Sequence, residues 1–242
     1  MRGAGEVFYM DQQFSRTVRL LGEEALQKLR RSHVAVFGLG GVGSFAAESL
    51  IRCGVGRLTL VDADCVEPSN LNRQLLALHS TIGRPKALVM AERAADICPD
   101  TEVYPKVIYF DASTASLFDF TLFDYVVDAI DSVDSKELLI LTAQAAGVPI
   151  VSSMGTGNKL DPSALALADL YETSVCPLAR VMRQRLKRAG VQKLKVVYSK
   201  EPPVSPPPDG EGRHTPASAP FVPPAAGMLL ASAVVRDLCA PR

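Results

Sequence analysis

Apolar residues along this chain fall into two kinds of run, and their order predicts the fold. Short, mostly apolar runs at 34–37, 58–61 and 125–130 have the make-up of strands buried on both faces, and 150–153 reads as a further strand. Residues 14–31, 44–53, 86–97 and 135–146 carry apolar side chains at helical spacing, the first run broken at Gly22. Residues 101–109 alternate as a half-buried strand does, and 113–118 suits a short helix. Strands are also predicted at 165–170 and 194–198, and helices at 177–189 and 225–238. Residues 65–87 and 201–220, rich in polar, Pro and Gly residues, read as loops, the first with a short helix. Strands alternating with helices imply a mainly parallel, doubly wound sheet, with an additional C-terminal strand and helix region.

The segment 34–64 shows what such a sheet is for. Its first strand runs straight into Gly38, Gly40, Gly41 and Gly43, an amphipathic run follows, and a second strand is closed by Asp62. Strand, glycine turn, helix, strand and acid within about 30 residues make a nucleotide-binding βαβ unit, so the fold is expected to be α/β and Rossmann-like. Glycines let the backbone turn tightly and approach a polyphosphate. A helix opening near Val42 or Gly43 aims its free N–H groups at the anion. Asp62 suits ribose hydroxyls. In such sheets ligands sit beyond the carboxyl ends of the strands, where 38–43, Asp62, Asp131 and 152–155 all fall.

Composition narrows the class. The chain has 242 residues, no formal net charge, 48% hydrophobic and 21% charged residues, close to an average soluble protein of one large domain. Five cysteines are scattered without a C-x-x-C pair, which argues against a disulfide scaffold and a zinc site and suits a reducing cytosol. The first residues hold no long apolar core, so no secretory signal is expected. The apolar C-terminal stretch is interrupted by Pro220, Pro223 and Pro224 and reads as a core helix, with no membrane partner. The expected location is the cytoplasm. A single domain, 1–242, thus divides into a nucleotide-binding core (14–155), a basic region (156–200), a flexible crossover loop (201–220) and a core helix (221–239).

Polar clusters at the expected strand ends carry the candidate chemistry. Arg73 and Lys86 offer fixed cations for a triphosphate, and Asn70 and Gln74 offer neutral hydrogen bonds; a solvated polar loop is the plainer reading. Asp128 and Asp131 end an apolar strand and suit a magnesium ion bridging phosphates, with Asp134 left to cap the next helix. From Thr173 to Lys200 there is no acid, while Arg180, Arg183, Arg185, Lys187 and Arg188 crowd one helix. Such an excess on a neutral chain fits RNA phosphates or, alternatively, a solvated basic face.

Taken together, GLGGVGS, LVDADCVEPSNLNRQ, GRPKA and DAIDS, in that order over 14–153, resemble the ThiF/MoeB superfamily of adenylating enzymes related to ubiquitin-activating enzyme. RLLGEEAL, VMAER, VVDAIDSV and FVPPAAG make the tRNA threonylcarbamoyladenosine dehydratases the most similar branch. The resemblance implies that the 38–43 glycines cradle the ATP phosphates and that Asp62 binds the ribose. It implies that Asn70, Arg73, Gln74 and Lys86 hold the triphosphate, and that Asp131 binds Mg2+. It implies a homodimer in which an N-terminal arginine, Arg16 or else Arg19, enters the partner's site. A sulfur-acceptor helper protein and a monovalent cation stay open.

The crossover loop reads EGRHTPASAP and has no cysteine, so a thioester or persulfide cannot form there. Cys176 is read as an inert thiol, and His214 as a surface histidine or a base. The implied reaction is ATP-dependent adenylation of the threonylcarbamoyl carboxylate on a tRNA adenosine, followed by ring closure that releases AMP. Three alternatives are adenylation of the C-terminus of a small sulfur-carrier or ubiquitin-like protein, an NAD-linked oxidoreductase, and a nucleotide-binding module without chemistry.

Overall fold

The computed structural model describes residues 12–205 and 216–240. Helices α1 (Ser15–Leu21) and α2 (Glu23–Arg31) meet at Gly22, whose φ is +88°. β1 (His33–Phe37), α3 (Gly43–Arg52) and β2 (Arg57–Val61) form the expected strand–helix–strand unit. A polar loop with 3₁₀ turns at Pro68–Asn70 and His79–Thr81 leads to α4 (Lys86–Ile97) and β3 (Glu102–Lys106). The chain continues through β4 (Tyr125–Asp128), α5 (Val133–Ala145) and β5 (Ile150–Ser153). It ends with β6 (Leu165–Asp169), α6 (Pro177–Arg188), β7 (Lys195–Ser199) and α7 (Val222–Cys239).

The strands build one seven-stranded sheet in the order β3-β2-β1-β4-β5-β7-β6. Neighbours are parallel except β6, which runs antiparallel to β7. Chain order reverses between β1 and β4, so their outgoing loops part and leave a crevice at the carboxyl edge of the sheet. Two strands are shorter than their apolar runs. The run at 101–109 pairs only to Lys106 because its neighbour β2 stops at Val61. The run at 125–130 pairs only to Asp128, which faces Phe37, the last residue before the glycine loop. α7 begins three residues ahead of the 225–238 pattern, and Pro223 and Pro224 occupy its first turn, where no N–H donor is needed.

Each face of the sheet is covered by helices, which is why the strands read as continuous apolar runs. One face packs α2, α3, α4 and α7 through Leu26, Leu29, Leu50, Met90, Leu230 and Val234. The other packs α5 and α6 through Leu139, Ile140, Met182 and Leu186, beside Phe37, Phe110, Phe120 and Phe123. Phe37 meets Phe110 edge-on at 5.0 Å between ring centroids. By length and composition α7 is apolar enough to cross a membrane. In this fold, however, Val222, Ala226, Leu230 and Val234 are buried, and Gly227 lies so close to Val42 that a Cβ would strike its carbonyl oxygen.

His33 shows how burial at the start of β1 affects stability. It is 7% exposed, its Nε2 is 2.9 Å from Thr59 Oγ1, and Phe123 packs edge-on against the ring at 5.0 Å. Burial, assisted by the Arg57 charge, holds its pKa below the usual 6.5. The unfolded chain therefore binds a proton at a pH where the folded one does not, and stability falls as pH drops through that window. Denaturant titrations between pH 7.5 and 5.5 are expected to show this fall, limited to about 1.4 kcal/mol per pH unit for one proton. His33→Gln is expected to flatten it; an unchanged slope would assign the effect elsewhere.

Candidate nucleotide and adenylation site

The glycine loop between β1 and α3 is shaped by two close approaches. Gly38 has φ +86°, and a Cβ there would lie 2.6 Å from the Ala129 carbonyl oxygen of the loop after β4. A Cβ on Gly43 would strike the carbonyl oxygen of Gly38 itself. Only glycine permits both contacts, so the loop curls tightly and α3 opens at Gly43. Its N-cap, Val42, supplies no side-chain hydrogen bond, and the positive end of the helix stays open to an anion.

Asp62, at the end of β2, is tied directly to this loop. Its Oδ2 accepts the Leu39 N–H at 2.6 Å and its Oδ1 accepts the Asp64 N–H at 2.8 Å. Burial pushes its pKa above the ordinary carboxylate value, against the pull of Lys86 and these two donors. Lys86, 5% exposed, points Nζ at Asp64 at 2.8 Å. Asp64 joins the candidate site through Lys86 without having been singled out from the sequence; its place two residues after Asp62, just beyond the same strand, was the available signal.

The loop after β2 brings its polar residues to the glycines in different roles. Arg73 packs its Cγ 3.4 Å from where a Gly41 Cβ would stand, while Nη1 donates to Ser69 O and Asn72 Oδ1, each at 3.0 Å. Gln74, 9% exposed, lies beside Gly40, and its Oε1 is buried with no hydrogen-bond partner. Asn70 serves the loop itself, because its Oδ1 accepts the Glu67 N–H at 3.2 Å in a capping arrangement. A buried acceptor without a donor, two cations, an uncapped helix start and a loop without side chains fit a polyphosphate nucleotide.

The carboxylates after β4 separate into unlike groups. Asp128 is fully buried and paired with Lys136 at 2.7 Å, so it is not available to a metal. Asp131 is exposed and makes no hydrogen bond or ion pair with a described residue. Asp134 is not the helix cap that its spacing suggested. Ser132 holds that position, and Asp134 is the second residue of α5, 2.6 Å from Arg185. Among the described residues no three of His, Cys, Asp or Glu gather as a metal cage. An ion here would rest on Asp131, phosphate oxygens and water, the usual arrangement for magnesium.

The remaining candidates lie further out. On α6, Arg180, Lys187 and Arg188 are exposed. Arg183 donates to Thr173 O at 2.9 Å, and Arg185 pairs with Glu137 as well as Asp134, both at 2.6 Å. Arg16 and Arg19 stand exposed on α1, and Cys176 is 2% exposed. His214 lies outside the described residues. Lys136 is the other residue that sequence reading missed. Its signal was its spacing of three, four and seven residues from Leu139, Ile140 and Ala143 on the buried face of α5.

These environments predict different effects of substitution at Gln74 and Asn70. Gln74→Met removes an unpaired acceptor, so the free protein should keep its melting temperature while ATP affinity drops about tenfold. Asn70→Ala should instead cost about 1 kcal/mol of stability through the lost loop bond. Thermal unfolding and a fluorescent ATP-analogue titration report both. Unchanged ATP affinity in Gln74→Met would remove that residue from the site.

Comparison with known proteins identifies the family. The ThiF family model matches residues 14–234. The chain is 42% identical over 240 residues to a tRNA threonylcarbamoyladenosine dehydratase of Bacillus subtilis, covering 93% of this chain and 94% of the relative. The structure of Escherichia coli TcdA, a tRNA N6-threonylcarbamoyladenosine dehydratase, in complex with AMP superposes with a TM-score of 0.88 at 37% identity, over 94% of each chain. Its complex with ATP gives 0.87 at 36%, with the same coverage. The chain belongs to the ThiF family of adenylating enzymes, on the branch whose curated members are tRNA threonylcarbamoyladenosine dehydratases.

Proposed function

We propose that this protein uses ATP to dehydrate threonylcarbamoyladenosine in tRNA. The observation that carries the reading is the chain-long match to that branch, which includes the C-terminal region as well as the nucleotide core. In the proposed reaction a carboxylate oxygen of the modified nucleoside attacks the α-phosphorus and pyrophosphate leaves. The ureido nitrogen of the same substrate then attacks the activated acyl carbon. AMP departs with the former carboxylate oxygen, the nitrogen loses its proton, and the net change is loss of one water.

The protein's own residues bind and orient. The 38–43 loop and the start of α3 receive phosphate oxygens through backbone N–H groups. Arg73 and Lys86 offset negative charge on the phosphates as it redistributes in the transition state. Asp62 accepts hydrogen bonds from the ribose, and Gln74, beside Gly40, takes its place at the triphosphate. Asp131 is the residue that would hold magnesium, which supplies charge neutralisation across the phosphates. The attacking nitrogen belongs to the substrate, so no protein nucleophile is required. That agrees with a crossover loop free of cysteine and a buried Cys176.

The exposed Arg180, Lys187 and Arg188 on α6 form the proposed tRNA-facing surface. A homodimer is proposed on α1, where Leu20 is 83% exposed and Arg16 is free to enter a second copy's crevice. Cytoplasmic action is proposed together with the tRNA substrate.

The decisive experiment is mass spectrometry of nucleosides from tRNA that carries threonylcarbamoyladenosine, incubated with the protein, ATP and magnesium. An ATP-dependent loss of one water is expected, abolished by Arg73→Ala or Asp131→Ala. No mass change, with pyrophosphate exchange only after a Gly-Gly-tailed carrier protein is added, would transfer the activity to carrier-protein adenylation.

A further inference from the structure

Beneath the crevice lies an ion pair that none of these steps uses. Lys136, Asp128 and Ser152 are all fully buried. Lys136 Nζ is 2.7 Å from Asp128 Oδ2, 3.0 Å from Ser153 O and 3.4 Å from Ser152 Oγ. The Ser152 hydroxyl donates to the same Asp128 oxygen. Desolvating two ions is costly, and an apolar pair of similar volume fills space at least as well. Packing alone therefore does not account for the cluster.

Its position does. It joins the last residue of β4, the last two of β5 and the first turn of α5, the three segments around the 129–131 turn. Asp128 Oδ1 accepts the Ile130 N–H inside that turn at 3.1 Å. On the other side Ala129 N donates to Phe37 O at 2.8 Å, and Gly38 abuts the Ala129 carbonyl. The Asp131 side chain touches no described partner, so its place is set through this backbone alone.

We propose that Lys136 and Asp128 are positioning residues that hold the 129–131 turn so that Asp131 faces the magnesium-bound nucleotide. The proposal rests on the reading of Asp131 as the magnesium carboxylate, and its test separates the two. The Asp128→Leu/Lys136→Met double variant replaces the ion pair by an apolar pair, and Asp131→Asn is its companion. Binding of a fluorescent ATP analogue is measured with and without magnesium, alongside thermal unfolding.

The double variant is expected to unfold cooperatively and bind the metal-free nucleotide as the parent does. The factor by which magnesium tightens binding should fall about tenfold, as loss of a supporting residue around a metal ligand does. Asp131→Asn should lose that factor as well. If Asp131→Asn loses it and the double variant keeps it, the pair serves packing only. If Asp131→Asn keeps it, the magnesium reading falls, and the proposal with it. Should the double variant not fold, Ser152→Ala removes one tie to Asp128 and is expected to lose part of the factor; full retention would overturn the proposal.

Discussion

Everything at the crevice depends on how closely the ends of β1 and β4 approach each other. These adjacent strands are paired up to Phe37 and Asp128, and Gly38 then lies against the Ala129 carbonyl. A side chain at Gly38 would push the two loops apart. With none there, the glycine loop curls under the start of α3, and the 129–131 turn is carried to the same edge. The strand order makes this edge the switch point, so steric contact and topology select one place for a ligand.

Electrostatics then sorts the charged groups there. Asp128 is neutralised by Lys136 where water is absent, and Asp62 is held by two backbone donors. Lys86 is paired with Asp64, and Arg73 is held beside Gly41 while it donates to Ser69 O and Asn72. Asp131 and Gln74 Oε1 are left without partners among the described residues. An unmet acceptor in a buried position is unfavourable in the free protein and favourable once a donor arrives. Gln74 Oε1, buried in this way, points to a ligand more directly than the paired groups do.

The basic region shows why charge along the chain is an incomplete guide. Between Thr173 and Lys200 there is no acid, yet Arg185 finds two on α5, Asp134 and Glu137. Arg183 turns inward to the Thr173 carbonyl. The linear excess therefore overstates the surface excess, and Arg180, Lys187 and Arg188 remain as the exposed part.

Much of the architecture was legible in advance because it rests on local rules. Apolar runs mark strands covered on both faces, helical spacing marks the helices between them, and the order of glycines and Asp62 marks the nucleotide unit. Strand ends were less legible, since β3 and β4 stop where their neighbours stop. The individual roles of the carboxylates and of Asn70 were hidden for the same reason. Asp128 and Asp131 are alike and three residues apart, and only packing buries one against Lys136 and leaves the other without a partner among the described residues. Sequence by itself thus determined the fold class, the nucleotide loop and most of the polar residues near it. Tertiary structure decided which of them are spent on the scaffold and which are left without a partner among the described residues, because burial and partnership arise between segments distant in the chain.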